Sequence, residues 1–328
     1  MRQELATALR GSPVLVTGAG GFLGSAVVRR LVDLGADVRA LAGPAAADLV
    51  PLPAGVLTGY GDIEEAALLD RLVAGVACVY HMAGPPSVVE SFAQPARYLR
   101  VHAAGTAALV ERCAAAGVPR IVYVSSAEVY GAASGTVSEE HPRAPRSPYG
   151  IAKLAAELVL ETHAAAGGAQ VSILRPFSVY GPGASPRSLL SRLLDGLEQG
   201  ELRVADLRPV RDYCFVADVA GAIVAASARE GPPARAFNVA SGRGVSVAEL
   251  ARALLCAAGR DDVPLREDRA DGDRPAGALT LELVGDPTRA REELGAVTTP
   301  LEVGLAMTLE ARARRAGEPH RDRLGAAR

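Results

Sequence analysis

Tyr149 and Lys153 lie four residues apart in the stretch Ser147, Pro148, Tyr149, Gly150, Ile151, Ala152, Lys153. The stretch reads as the opening of a helix, and that spacing stacks a phenol and an amine on one helical face. A nearby ammonium favours the phenolate, so the pair has the makings of a general acid/base with a pKa drawn from about 10 towards neutrality. Lys153 is the only lysine in the chain, among many arginines. A lone lysine suggests a task the guanidinium cannot do, one that needs a compact point charge with an adjustable pKa. The bland alternative is a Tyr and a Lys on an ordinary helix. Ser126 follows the apolar run Arg120 to Ser125, a predicted strand. In an open parallel sheet, ligands sit off the carboxyl ends of strands, where a hydroxyl can donate to a substrate oxygen and accept from a tyrosine. Its alternative is a plain turn former.

Several predicted elements must position these groups. Pro13 to Thr17 is a Val-rich buried strand that runs into Gly18, Ala19, Gly20, Gly21, Phe22, Leu23, Gly24 and then a helix from Ser25 to Leu34. Glycines 18, 21 and 24 allow a tight turn, close approach to a pyrophosphate and close packing of helix on strand. The second strand, Asp37 to Leu41, should end in an acidic residue if the loop binds NAD. Ala42 and Gly43 stand there instead, so the choice between NAD and NADP stays open. A third strand, Val56 to Gly59, leads to Gly61, Asp62, Ile63; Asp62 either holds the adenine edge or caps a helix over 64–73. Val76 to His81 is a fourth strand, with His81 read as a packed strand-end residue. Helices are predicted from Gly105 to Ala116, Ser188 to Leu197 and Leu301 to Arg315. Another spans Ser246 to Ala258, with Ser246 and Glu249 at capping-box spacing. Residues 260–278 read as a polar loop and 317–328 as a disordered tail.

Composition excludes several classes. The 328 residues are enough for a large core, and alternating apolar and Ala-rich stretches indicate α/β architecture. The formal charge is −2 and Arg is spread evenly, with no tryptophan and no basic stripe, so nucleic acid is not an expected partner. Cys78, Cys113, Cys214 and Cys256 are far apart, with no CxxC pair, and read as core thiols of a reducing compartment. No metal site is expected. No run is long enough to cross a membrane and Met1 to Ser12 lacks an apolar leader core, so a cytoplasmic protein is expected.

Taken together, the glycine loop, Ser126 with Val129, Tyr130, Gly131 behind it, and Tyr149 with Lys153 resemble the extended short-chain dehydrogenase/reductase family, in its nucleotide-sugar epimerase/dehydratase branch. The stretches Leu174 to Gly183, Val210 to Val219 and Phe237 to Gly242 agree with it. The resemblance implies a Rossmann-type doubly wound parallel sheet over 1–175 and a mainly substrate-binding domain over 176–316, with segments returning to the sheet. It implies NAD as cofactor (NADP not excluded), held by Gly18, Gly21, Phe22, Leu23, Gly24, Asp62, Ile63, Tyr149 and Lys153, and a nucleoside-diphosphate sugar as substrate. Tyr149 becomes the acid/base, Ser126 the residue that orients the sugar hydroxyl, and Lys153 the group that lowers the Tyr149 pKa and binds the nicotinamide ribose. Arg211 matches a contact to the substrate diphosphate; from sequence alone, Arg211 and Asp212 equally suit a surface ion pair. Ser178 and Arg274 are further substrate candidates, and Asp218 reads as a cap on a helix over 219–228. Family members are often homodimers through the Tyr-Lys helix.

Three positions depart from the family pattern: His102 and Ser178 replace the usual Asn, and Ala42 replaces a common acid. The expected activity is epimerisation through a transient 4-keto sugar, with hydride removed from and returned to carbon 4 of the hexose. Glu128 stands where dehydratases of this family carry a Glu, but Ala127 replaces the Asp that 4,6-dehydratases place before it. A dehydratase or a 4-ketoreductase of deoxysugar assembly is therefore the alternative, and Glu128 is either a catalytic residue or a carboxylate bonded to backbone. A non-catalytic dinucleotide-binding regulator is the alternative of another class, which retention of both Tyr149 and Lys153 disfavours.

Overall fold

The computed structural model describes residues 2–43, 50–133, 135–268 and 281–317. After a first helix, Arg2–Leu9, come five short strands with helices among them: β1 (Pro13–Thr17), β2 (Asp37–Ala42), β3 (Leu57–Tyr60), β4 (Cys78–His81) and β5 (Arg120–Val124). With Gln170–Pro176 and Ala234–Val239 they form a seven-stranded, wholly parallel sheet. Its order is Ala234–Val239, Gln170–Pro176, β5, β4, β1, β2, β3. The chain runs outward from β1 in one direction and then returns to build β4 and β5 on the other side. That reversal opens a crevice at the carboxyl ends of β1 and β4. Val14, Leu15 and Val16 are buried completely because helices cover both faces, which is why these strands read as unbroken apolar runs.

Two apolar clusters fill the two faces of this sheet, one around Val16, Val28 and Leu174, the other around Leu15, Leu69 and Ile121. A third cluster, around Leu193, Leu250 and Leu305, packs the helices Leu189–Gln199, Val247–Ala258 and Leu301–Gly317. It sits with a mixed sheet of Gly244–Ser246, Val210–Phe215, Glu282–Gly285 and Thr136–Val137, where Ser178–Tyr180 also pairs with Val210–Phe215. The predicted capping box is present: Ser246 accepts from the Glu249 amide while the Glu249 carboxylate accepts from that of Ser246.

Several predicted boundaries need correction. Within the predicted polar loop, Leu265–Glu267 is a strand that pairs with Leu202–Val204, because Leu265 packs against the third cluster. Residues 269–280, with Arg274, and the predicted tail beyond 317 lie outside the described residues. The helix expected over 219–228 starts at Val216 and gives way to a 3-10 turn at Ala226–Ala228. Cys78, Cys113 and Cys214 are buried as expected, but Cys256 is exposed on the outer face of its helix.

Candidate active site

Glycine chemistry shapes the loop after β1. Gly18 adopts φ +70°, and a Cβ there would lie 2.8 Å from the Met82 carbonyl. At Gly24 a Cβ would come within 2.1 Å of the Gly18 oxygen, so helix Phe22–Asp33 can start this close to β1 only without a side chain. No side chain caps that helix, so its first amides point outward from a glycine N-cap. Asp62 and Ile63 lie just past β3, whose end is tied to β2 by the Gly61 amide donating to the Ala42 carbonyl at 3.1 Å. Asp62 does not cap the following helix: the N-cap is Glu65, and the Glu65 carboxylate accepts from the Asp62 amide at 2.7 Å. Ile63 is buried against Gly105.

The end of β5 and the helix Pro148–Ala165 bring Ser126, Tyr149 and Lys153 together. Ser126 caps a 3-10 turn, Ala127–Val129, by accepting from the Glu128 amide at 3.2 Å. Ser147 caps the long helix in the same way at the Gly150 amide, 3.1 Å, with Pro148 in the first turn. Gly150 lets the two meet: a Cβ there would lie 2.6 Å from the Glu128 carbonyl oxygen. Lys153 donates to the Val124 carbonyl at 2.8 Å and lies 5.0 Å from the centre of the Tyr123 ring. Tyr149 is packed edge-on by His102 and Tyr98, with ring centres at 5.5 and 6.1 Å.

Burial dominates the electrostatics of this set. It pushes the Tyr149 phenol above its ordinary value, against a lowering hydrogen bond with Ser126, while the charges of Glu128 and Tyr98 add to the rise. Burial also brings Lys153 down to about 7, opposed by the Glu157 carboxylate. The sequence expectation of an ammonium pulling the phenol towards neutrality therefore does not describe the protein by itself: desolvation favours the neutral form of both partners.

His81 is a packed strand-end residue, as expected. Its Nδ1 lies 2.7 Å from the Thr17 hydroxyl and its Nε2 lies 2.9 Å from that of Thr106. The Thr106 hydroxyl donates to the His102 carbonyl, so it must accept from His81 Nε2–H, which fixes the tautomer. His102 belongs to a π-helical turn, Arg100–Ala104. Its Nε2 lies 3.0 Å from the Pro85 carbonyl, and its buried Nδ1 has no partner among the described residues.

Arg211 and Asp212 do not form a surface ion pair. Asp212 is wholly buried and accepts from the amides of Ser241, Gly242 and Gly285 at 2.7, 2.9 and 3.3 Å. Alternation along the strand puts half-buried Arg211 on the other face, where it donates to the Val210 and Leu281 carbonyls at 2.8 and 3.4 Å. Ser178 is drawn into the neighbouring strand, opposite Tyr213. Asp218 is not a cap either: it sits inside the first turn of its helix and accepts from the Thr299 amide and hydroxyl at 2.6 and 3.1 Å. Glu128 is half-buried, and its carboxylate makes no hydrogen bond, to backbone or side chain, among the described residues.

A sequence model of the NAD-dependent epimerase/dehydratase family matches residues 14–240, which contain the glycine loop, Ser126, Tyr149 and Lys153. The chain belongs to this family. It is 34% identical over 305 residues to a UDP-glucose 4-epimerase of Azospirillum brasilense, covering 86% of each chain. It is 33% identical over 319 residues to a dTDP-glucose 4,6-dehydratase of Streptomyces griseus, covering 90% of this chain and 92% of the other. Among solved structures it is similar to MoeE5 in complex with UDP-glucose and NAD, with a TM-score of 0.83 and 33% identity over 93% of this chain and all of that one.

As an NAD-dependent epimerase/dehydratase, the chain has a glycine loop that fits the cofactor. Gly18 and Gly24 leave no room for a Cβ, and the uncapped helix end of Gly21, Phe22, Leu23 and Gly24 offers backbone donors to a pyrophosphate. Sequence reasoning missed Gly150, Glu157 and the orphaned Nδ1 of His102. Their signals, a helix glycine after the tyrosine, an acid four residues past the lysine and a substituted asparagine, were all present.

Proposed function

We propose that this protein is an NAD-dependent 4-epimerase of a nucleoside-diphosphate hexose. The observation that carries the reading is Ala127: the position before Glu128 holds a buried methyl group, which cannot act as the acid that eliminates water. Bound NAD supplies the hydride acceptor and donor at carbon 4. Tyr149 takes the proton of the 4-hydroxyl and returns it, Ser126 holds that hydroxyl against Tyr149, and Lys153 supplies positive charge beneath them. Residues 1–175 hold the cofactor. Ser178, Arg211 and Arg274, from 176–316, hold the nucleotide diphosphate. A homodimer through the Tyr-Lys helix is supported by Ile151 and Leu158, apolar yet 48% and 47% exposed.

Tyr149→Phe tests the assignment. Interconversion of UDP-glucose and UDP-galactose, followed by chromatography, should fall by roughly 10³-fold while bound NAD is retained. Unchanged turnover would remove Tyr149 from the chemistry. One observation favours a second reading, dehydration: Glu128 is half-buried beside Tyr149 with its carboxylate unbonded among the described residues. If that reading holds, the protein incorporates solvent deuterium at carbon 5, and Glu128→Gln abolishes it.

A further inference from the structure

The helix that carries Tyr149 and Lys153 continues to a third ionisable residue on the same face, Glu157, which has no exposed surface. A carboxylate this deep persists only when it is paired, and Glu157 is held by two guanidinium groups. Arg175, itself buried on the strand Gln170–Pro176, donates through Nε at 3.0 Å and Nη2 at 2.7 Å, one bond to each carboxylate oxygen. Arg143 donates at 3.0 Å and shares its guanidinium with Glu161 at 2.7 Å. Arg175 is in turn fixed by the Tyr130 hydroxyl at 2.8 Å, and that hydroxyl donates to Asn238 at 2.7 Å. Glu157 is thus an oriented, immobile negative charge one helical turn from Lys153.

Apart from the Val124 carbonyl, which accepts from it at 2.8 Å, Lys153 has little else to keep it charged. Tyr149 beside it is a buried phenol, the Tyr123 ring offers a π face, and His81 and His102 are held neutral by burial, at about 3 and about 2. The Arg143 and Arg175 guanidinium groups of the clamp, as cations, oppose an ammonium. Glu157 is the one group of this set whose charge favours it.

We propose that Glu157 is a positioning residue that holds Lys153 in its ammonium form, with Arg143 setting how much of the Glu157 charge the lysine feels. The proposal rests on Lys153 serving the chemistry, and its test does not depend on which sugar reaction occurs. Because Lys153 is the only lysine, protein labelled with [13Cε]-lysine gives a single side-chain resonance that reports its titration directly. Relative to the unaltered protein, Glu157→Gln should move the midpoint down by roughly one pH unit, and Arg143→Gln, which uncovers the carboxylate, should move it up. A merely structural clamp would lower the melting temperature in both variants without moving the midpoint in opposite directions. An unchanged midpoint in Glu157→Gln, or movement of both variants in the same direction, overturns the proposal. Should Glu157→Gln fail to fold, Arg143→Gln decides: an upward movement supports the proposal, and no movement rejects it.

Discussion

In the role proposed for it, Lys153 works against the stability of the fold. Burial takes its amine from 10.5 to about 7 in the folded chain. Between those values the unfolded chain binds more protons, so the stability of the native protein rises with pH from about 7 to about 10.5, and the cost of the buried charge is fully present below 7. Lys153→Met should therefore abolish turnover and yet raise the melting temperature, by more at pH 6.5 than at pH 9.5. A gain independent of pH would mean that the amine carries no such cost. The identity of the residue was legible in the sequence because its type and spacing are local properties. The direction of the Tyr149 pKa was not, because it depends on how deeply the helix is buried, which no spacing reports.

At the scale of elements, the site depends on how closely the Tyr-Lys helix approaches the turn after β5. Gly150 sets that distance, since a methyl group there would meet the Glu128 carbonyl. Gly150→Ala should cost roughly 1–3 kcal/mol in denaturant unfolding through overpacking. By separating Tyr149 from Ser126 it should also lower turnover by about 10-fold or more. Far from the site, Ser246→Ala removes one arm of a capping box and should cost about 1 kcal/mol with no change in turnover, which separates stability from chemistry. The β1 strand, the glycine loop and the capped helices were readable because each is written in a few consecutive residues. The role of Asp212 was not: its partners, Ser241, Gly242 and Gly285, are brought to it by strand pairing between distant segments. The π-helical turn at Arg100–Ala104 has no sequence signature of this kind.

The whole molecule joins two kinds of order. The parallel sheet fixes the glycine loop at the end of β1 and Ser126 at the end of β5, and the switch in strand order between β1 and β4 creates a crevice on that same edge of the sheet. Its edge strand, Ala234–Val239, comes after Val210–Phe215 of the smaller sheet and before Gly244–Ser246 and Glu282–Gly285, so the chain completes the large sheet only in its C-terminal half. The small sheet fixes Arg211 and, through Asp212, the loop that follows Ala234–Val239. Among the described residues no helix is long and apolar enough to cross a membrane. The most direct measurement is NMR of the protein incubated in deuterium oxide with UDP-glucose and, separately, with dTDP-glucose. Formation of the 4-epimer from one of them, with no deuterium at carbon 5 and no methyl group at carbon 6, is the predicted result. A 4-keto-6-deoxy product carrying deuterium at carbon 5 would contradict it.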